Sequence, residues 1–355
     1  MADDIVTRMG DGRTVRMTKQ QILDDLDVGM KDGAECAGVP QLDANDMEAL
    51  AEIIFDKNRV VSVERGHEIV LTEDGGPYKF ILDSGSSGDG VDMGRLEAIL
   101  LHEKALGLDT FQLATADYSL KAVKPLLAFE QQAMEEISML TTVPLFYGCM
   151  PNMGLYYSPD GPYGNPADLM REFKIDEAME QAEKASEHLA RDIVFVAEGM
   201  QRAGSEGFNF DTTASAGDAD FVGTLKGVEQ LRKDFPEAYI NMGMSSENVL
   251  GIHGSIEYDG KAVAGLYPHD QVKLAAKAGV NVFGPVVNTN TSRSFAWNIA
   301  RAVAIVKYCE KVSPLPCHVN MGMGVGGIPM LETPPIDCVS RGSKAMVEVA
   351  HVDGI

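Results

Sequence analysis

The stretch GFNFDTT, residues 207 to 213, sets the architecture. It is short, apolar at Phe208 and Phe210, and bounded by glycine and threonine, so it reads as a buried β-strand. Three similar runs follow: YINMGMS from Tyr239, VNVFGPVVN from Val280 and PCHVNMGMG from Pro316, at steps of 32, 41 and 36 residues. Upstream, TFQLATADY from Thr110 and VPLFYGCMP from Val143 belong to the same set. Segments of helical period lie between them. One carries Ile175, Met179, Ala182, Leu189, Ile193 and Val196, another Phe221, Leu225, Val228 and Leu231, a third Phe295, Ile299, Val303 and Val306. A last helix enters through Thr333-Pro334 and carries Ile336, Val339, Ser343 and Met346. Strand–helix alternation at this step predicts an α/β fold, and it closes most naturally as a TIM (β/α)8 barrel. An open doubly wound sheet is the competing architecture.

The chain finishes in VEVAHVDGI, residues 347 to 355. Asp353-Gly354 has the form of a helix-to-strand turn, and Ile355 then opens a seventh strand. On that count the barrel is incomplete at its C-terminus, with strands seven and eight largely missing. Residues 1–90 read as a separate N-terminal α+β extension and 91–355 as the barrel. The extension starts with a hairpin around Asp11-Gly12 and a helix opened by a Thr18/Gln21 capping box. A second helix, ANDMEALAEIIF, presents Met47, Leu50, Ala51 and Ile54 on one face. A second hairpin signal, EIVLTEDGGPYKFILD, precedes a Gly/Ser joint at 84–90.

Lys and Arg total 30 against 53 Asp and Glu, a net charge of -23, which disfavours nucleic acid and anionic membrane as partners. The five cysteines are scattered and odd in number, with no CxxC pair, which suits reduced thiols in a cytoplasmic protein. No apolar run is long enough to span a bilayer. The 19 methionines cluster beside glycines, a pattern of adaptable packing or of a surface that accommodates a partner.

In a TIM barrel the site lies at the C-terminal strand ends. Those ends carry Tyr118, Asn152, Asp211, Ser245, Asn288 and the glycine loop from Gly322 to Gly327. Such a pocket is polar and poor in bases, suited to a small polar or cationic substrate. Asp211 is either a proton acceptor or cation partner, or a cap for the helix after Gly217. The glycine loop matches G-x-G-x-x-G, but prolines at 329, 334 and 335 delay the following helix, which argues against dinucleotide binding. Cys317-His318 does not suit a metal, since adjacent strand residues point to opposite faces. No metal site is expected. A lyase using the glycine loop as an anion cradle is an alternative.

The segments IPMLETPPID, GVGGIPM, PLFYGCMPNMGLYYSPDGPY, NFDTT and NVFGPVVNTNTS together resemble the dimethylamine:corrinoid protein methyltransferases, which contain pyrrolysine. The resemblance runs from RMGDGR to Ile355. It implies methyl transfer from dimethylamine to the Co(I) corrinoid of a cognate carrier protein, releasing monomethylamine, in methanogenesis or anaerobic methylamine catabolism. The genes of this family carry an in-frame amber codon after a VDGI-like segment, read as pyrrolysine. The resemblance therefore implies pyrrolysine directly after Ile355, with activity confined to the read-through product and an inactive amber-terminated fragment as the alternative. The corrinoid (cobalamin) stays with the partner, so no cofactor is bound directly. Asp211 becomes the catalytic acid/base, and Tyr118, Asn152 and Asn288 bind the amine. Met321, Met323, Gly324 and Gly326 form the rim that receives the corrinoid carrier. A homo-oligomer is expected.

Overall fold

A computed structural model describes residues 4–62, 76–79, 90–93, 124–126, 153–202, 207–210, 213–242, 245–251, 254–331 and 334–355. The expected strands at Thr110 and Val143, and the joint at 84–89, lie outside these residues. The chain divides into two compact units. Among the described residues, the first holds 4–62 and 285–355, and the second 76–79, 90–93, 124–126 and 153–284.

The first unit opens with the expected hairpin, β1 (Asp4–Arg8) paired antiparallel with β2 (Thr14–Thr18). Gly12 turns it at a φ of 87°. Helix α1 (Lys19–Ala37) starts at the anticipated capping box: Gln21 N–H donates to Thr18 Oγ1, and Thr18 N–H to Gln21 Oε1. It ends at Gly38, whose left-handed φ of 65° lets its N–H reach back to Ala34 and Glu35. Helix α2 (Ala44–Phe55) has a second capping box between Asp43 and Asp46.

Gly29 and Gly33, one turn apart on α1, allow it to lie against the helix Phe295–Val312. A Cβ at Gly29 would come within 2.1 Å of the Trp297 carbonyl, and one at Gly33 within 2.7 Å of the Arg301 carbonyl. Ion pairs frame this contact, Arg301 with Asp32 at 2.8 Å and Lys307 with Asp46 at 2.6 Å. The helix Ile336–Ala345 continues as a wider π-turn over Met346–Ala350. It begins with Pro335 at its N-cap, later than the Thr333-Pro334 entry, because a proline disfavours helical geometry at the residue before it.

In the second unit Gly76–Lys79 (β3) pairs with Gly90–Met93 (β4), so Gly90 belongs to a strand and not to the Gly/Ser joint. The main sheet runs Val282–Phe283 (β10), Tyr239–Met242 (β7), Gly207–Asn209 (β6) and Lys124–Leu126 (β5). The first three are parallel, joined by the helices Asp218–Asp234 and Pro268–Ala278. This is the strand–helix repeat anticipated from GFNFDTT.

The fourth strand departs from it, since β5 lies antiparallel to β6. Pro125 suits such a sheet edge, where no ladder N–H is required of it. No closed barrel is found among the described residues. A further hairpin, Glu257–Tyr258 (β8) with Lys261–Ala262 (β9), lies between β7 and the helix at Pro268. Phe208, Phe221, Leu225, Leu231 and Ile240 are fully buried between sheet and helices.

Candidate active site

In the second unit the parallel pairing runs on past the strand ends. Phe210 N–H donates to Asn241 O at 2.8 Å, Thr213 bridges Ser245, and Ser245 N–H reaches Gly284 O at 3.0 Å. Phe208 and Ile240 are register partners on the face that meets Phe235, at the end of the helix Asp218–Asp234; the Phe208 and Phe235 ring centroids are 6.4 Å apart. Asn209 and Asn241, also register partners, therefore share the opposite face. Both are buried. Two amides on one face of an apolar sheet are costly unless bonded, which marks that face as polar by design. The signal lies in GFNFDTT and YINMGMS, where Asn209 and Asn241 interrupt apolar residues.

Behind these ends Gln271, fully buried, locks the loop after β7. Its Nε2 donates to the carbonyls of Ser246 (2.8 Å) and Leu266 (2.7 Å), and its Oε1 accepts from Ser245 Oγ. Two acids open the following helix. Asp220 accepts from Ala216 N–H at 3.2 Å and so ties down the turn in which Ala214 has a φ of 65°. Asp218 accepts from Ala219 N–H with Oδ1, while its buried Oδ2 has no partner among the described residues. Burial pushes both carboxyls up to about 6. Burial, with the nearby charges of Asp220 and Asp218, raises the Tyr157 phenol to about 12. Neither acid was foreseen, because an Asp in a first helical turn is ordinary and only packing buries it. Asp211, Tyr118 and Asn152 lie outside the described residues.

In the first unit the glycine loop is knitted to the end of the VNVFGPVVN run. Asn288 bridges Val325, Thr289 N–H donates to Gly324 O (2.8 Å), and Gly326 N–H to Val287 O (2.9 Å). Gly324, Gly326 and Gly327 have φ values of 84°, 69° and 84°. A Cβ at Gly326 would meet Met321 Sδ at 2.6 Å and Asn320 O at 2.7 Å. The glycines are thus used for close packing. The Val325, Gly326 and Ile328 N–H groups go to the carbonyls of Gly322, Val287 and Val325.

Asn288 is exposed at this strand end, Met323 is half-buried, and Met321, Gly324 and Gly326 are buried. The exposed apolar side chains beside them are Met330 (52%) and Leu331 (37%). Met330 N–H donates to Gly10 O, and Leu331 closes over Gly12, which brings the N-terminal hairpin to this edge.

The run 317–321 alternates: Cys317, Val319 and Met321 are buried, His318 and Asn320 half-buried. Cys317 hydrogen-bonds Cys309 of the helix Phe295–Val312, which holds its thiol below the usual range. His318 points the other way, as anticipated for neighbours on a strand. His318 pairs in parallel with Gly354, and Val319 N–H donates to Gly354 O at 3.1 Å. Among the described residues no group of three His, Cys, Asp or Glu side chains could hold a metal ion, and no helix is long and apolar enough to cross a membrane.

The model of the dimethylamine methyltransferase (Dimeth_PyL) family matches residues 3–355. The chain belongs to that family. No solved structure matches it. A dimethylamine methyltransferase must bind a cation or its free base and activate a C–N bond, and the strand ends above are polar, with few bases, on both units. Membership therefore agrees with the resemblance carried by NFDTT and NVFGPVVNTNTS.

Proposed function

We propose that this methyltransferase moves a methyl group from dimethylamine to the Co(I) corrinoid of a separate carrier protein and releases monomethylamine. The C–N bond breaks with its electron pair left on nitrogen, and cobalt supplies the pair of the new Co–C bond. The observation that carries the proposal is the family match over 353 of the 355 residues, from 3 to 355. The parallel strand–helix repeat of β6, β7 and β10 supports a (β/α)8 barrel.

The nitrogen of a secondary ammonium is as weak an acid as lysine, with a pKa of about 10. The chain's own task is to fix that nitrogen, control its proton and aim a methyl carbon at cobalt, and positioning supplies much of the rate. Asp211 is the ammonium partner or proton acceptor. Tyr118, Asn152 and Asn288 orient the amine. The carrier docks on the apolar edge that Met330 and Leu331 expose beside Met323, with the buried Met321, Gly324 and Gly326 backing it.

Pyrrolysine is part of the proposal, and its ring imine would supply an electrophile for the amine nitrogen.

Dimethylamine labelled with ¹³C tests the proposal. The label should divide between methyl-cobalt on the carrier and monomethylamine; label that stays in dimethylamine contradicts it.

A further inference from the structure

We infer that the outer edge of β1 is a docking site for an extended acidic segment of a protein partner, which adds to the N-terminal hairpin as a third strand. The site lies wholly within the first unit and does not depend on the proposed reaction. A cavity of about 510 Å³ runs along β1. Four consecutive strand residues, Asp4 to Thr7, line it, whereas β2 (Thr14–Thr18) contributes none. Successive side chains point to opposite faces, so a cavity that touches all four, but not the paired strand, follows the outer edge. Its other wall is the end of α2 with the loop 56–59, and Phe295 lies at the base.

The backbone on this edge is turned outward. Met9 N–H donates to Arg13 O at 2.9 Å, so antiparallel alternation turns the N–H and C=O of Thr7 and Ile5 toward β2 and those of Asp4, Val6 and Arg8 away from it. Beyond Arg8 the outer edge is already paired, since Met9 bridges Ser294 and Gly10 N–H donates to Arg293 O at 2.7 Å. At Val6 the outward N–H and C=O have no backbone partner among the described residues, and the side chain is 55% exposed. Such an edge is a template for a further strand.

Charge selects the partner. In a chain with 53 acids and 30 bases, this cavity gathers Lys19, Lys57, Arg59 and Arg341. Lys19 Nζ lies 5.3 Å from the centre of the Phe55 ring. Arg341 donates to the carbonyls of Asp56 (2.8 Å), Asn58 (2.7 Å) and Arg59 (3.1 Å), which fastens the wall and leaves the guanidinium facing no carboxylate among the described residues. Three acids also line the cavity, and one of them, Asp337, is already paired with Arg8 at 3.1 Å. The excess of positive charge complements an acidic segment. The volume is that of a ligand cleft, about 300–1,000 Å³, so it admits one extended segment between its walls and not the sheet edge of a second folded copy.

The test titrates the full chain with a synthetic seven-residue peptide of alternating glutamate and valine, and with the same peptide carrying lysine in place of glutamate. The acidic peptide should bind, bind less tightly as salt rises, and slow hydrogen exchange at the Val6 amide, read by NMR. The lysine peptide should bind at least about 10-fold more weakly, and so should the acidic peptide to the double variant Lys57→Glu, Arg59→Glu. Val6→Pro removes an N–H that the β1–β2 ladder does not use, so the hairpin should remain and peptide binding should be lost.

No binding of the acidic peptide, equal binding of the two peptides, or unchanged exchange at Val6 in the bound state overturns the inference. Should Val6→Pro fail to fold, exchange at Val6 in the wild type decides. A dimer that Val6→Pro dissociates would give the edge to a second copy of this chain and overturn the partner assignment.

Discussion

His318 and Gly354 are parallel neighbours, and the Asp353 carboxylate closes the same corner by accepting the Cys317 N–H at 2.8 Å. The N–H groups of Asp353 and Gly354 return to the Cys317 carbonyl at 3.0 and 3.1 Å. A helix and its π-turn therefore deliver the chain onto the 317–321 run in a fixed register.

Asp353→Ala should loosen that corner. It leaves a half-buried N–H without its charged acceptor, a loss of about 1–3 kcal/mol. Denaturant unfolding should show a lower midpoint, with Asp353→Asn falling between the two. An unchanged midpoint for Asp353→Ala would mean that the corner is held by the Cys317 carbonyl alone.

Asp218 sets a pH dependence. Burial raises its carboxyl from 3.8 to about 6, so the native state binds the proton more tightly than the unfolded chain. Its contribution to stability is present in full below pH 3.8 and is lost as pH rises through about 6. Asp218→Asn keeps the acceptor for Ala219 N–H and removes the buried charge. It should be more stable than wild type above pH 6, by on the order of 1 kcal/mol after solvent screening, and lose that advantage in acid. A gain that is the same at every pH would refute this.

Gly326→Ala tests the glycine loop. A methyl group there meets Met321 Sδ and Asn320 O in a left-handed backbone, a cost of about 1–3 kcal/mol. Gly38→Ala has the same sign of φ but open space around it, and should cost only the backbone term of about 1 kcal/mol. Equal effects in thermal melts would show that crowding in the loop is relieved elsewhere.

Asp211→Asn should cut methyl transfer by about 100-fold or more while leaving the melting temperature near wild type. Unchanged transfer would remove Asp211 from the site.

Local chemistry was the most legible part of this sequence. The Thr18/Gln21 box, the Asp11-Gly12 hairpin and the parallel strands at 207 and 239 follow from short-range rules, and each is found. Tertiary packing hid the rest. Nothing local marks Lys124–Leu126 as an antiparallel neighbour of Gly207–Asn209, and nothing in an ordinary first-turn aspartate tells that Asp218 is only 3% exposed. Similarly, the GMGVGG run suggested a rim; its glycines pack against Asn320 and the end of the VNVFGPVVN run, and the exposed apolar pair beside it is Met330-Leu331. Strand alternation did separate Cys317 from His318, because period two holds whatever the surroundings.

The most direct measurement follows the cobalt absorbance of the Co(I) carrier after mixing with the enzyme and each methylamine in turn. The account predicts that dimethylamine converts Co(I) to methyl-Co(III) with one equivalent of monomethylamine released, and that monomethylamine and trimethylamine do so far more slowly. A carrier that stays in the Co(I) state with dimethylamine, or that is methylated equally well by all three amines, would contradict it.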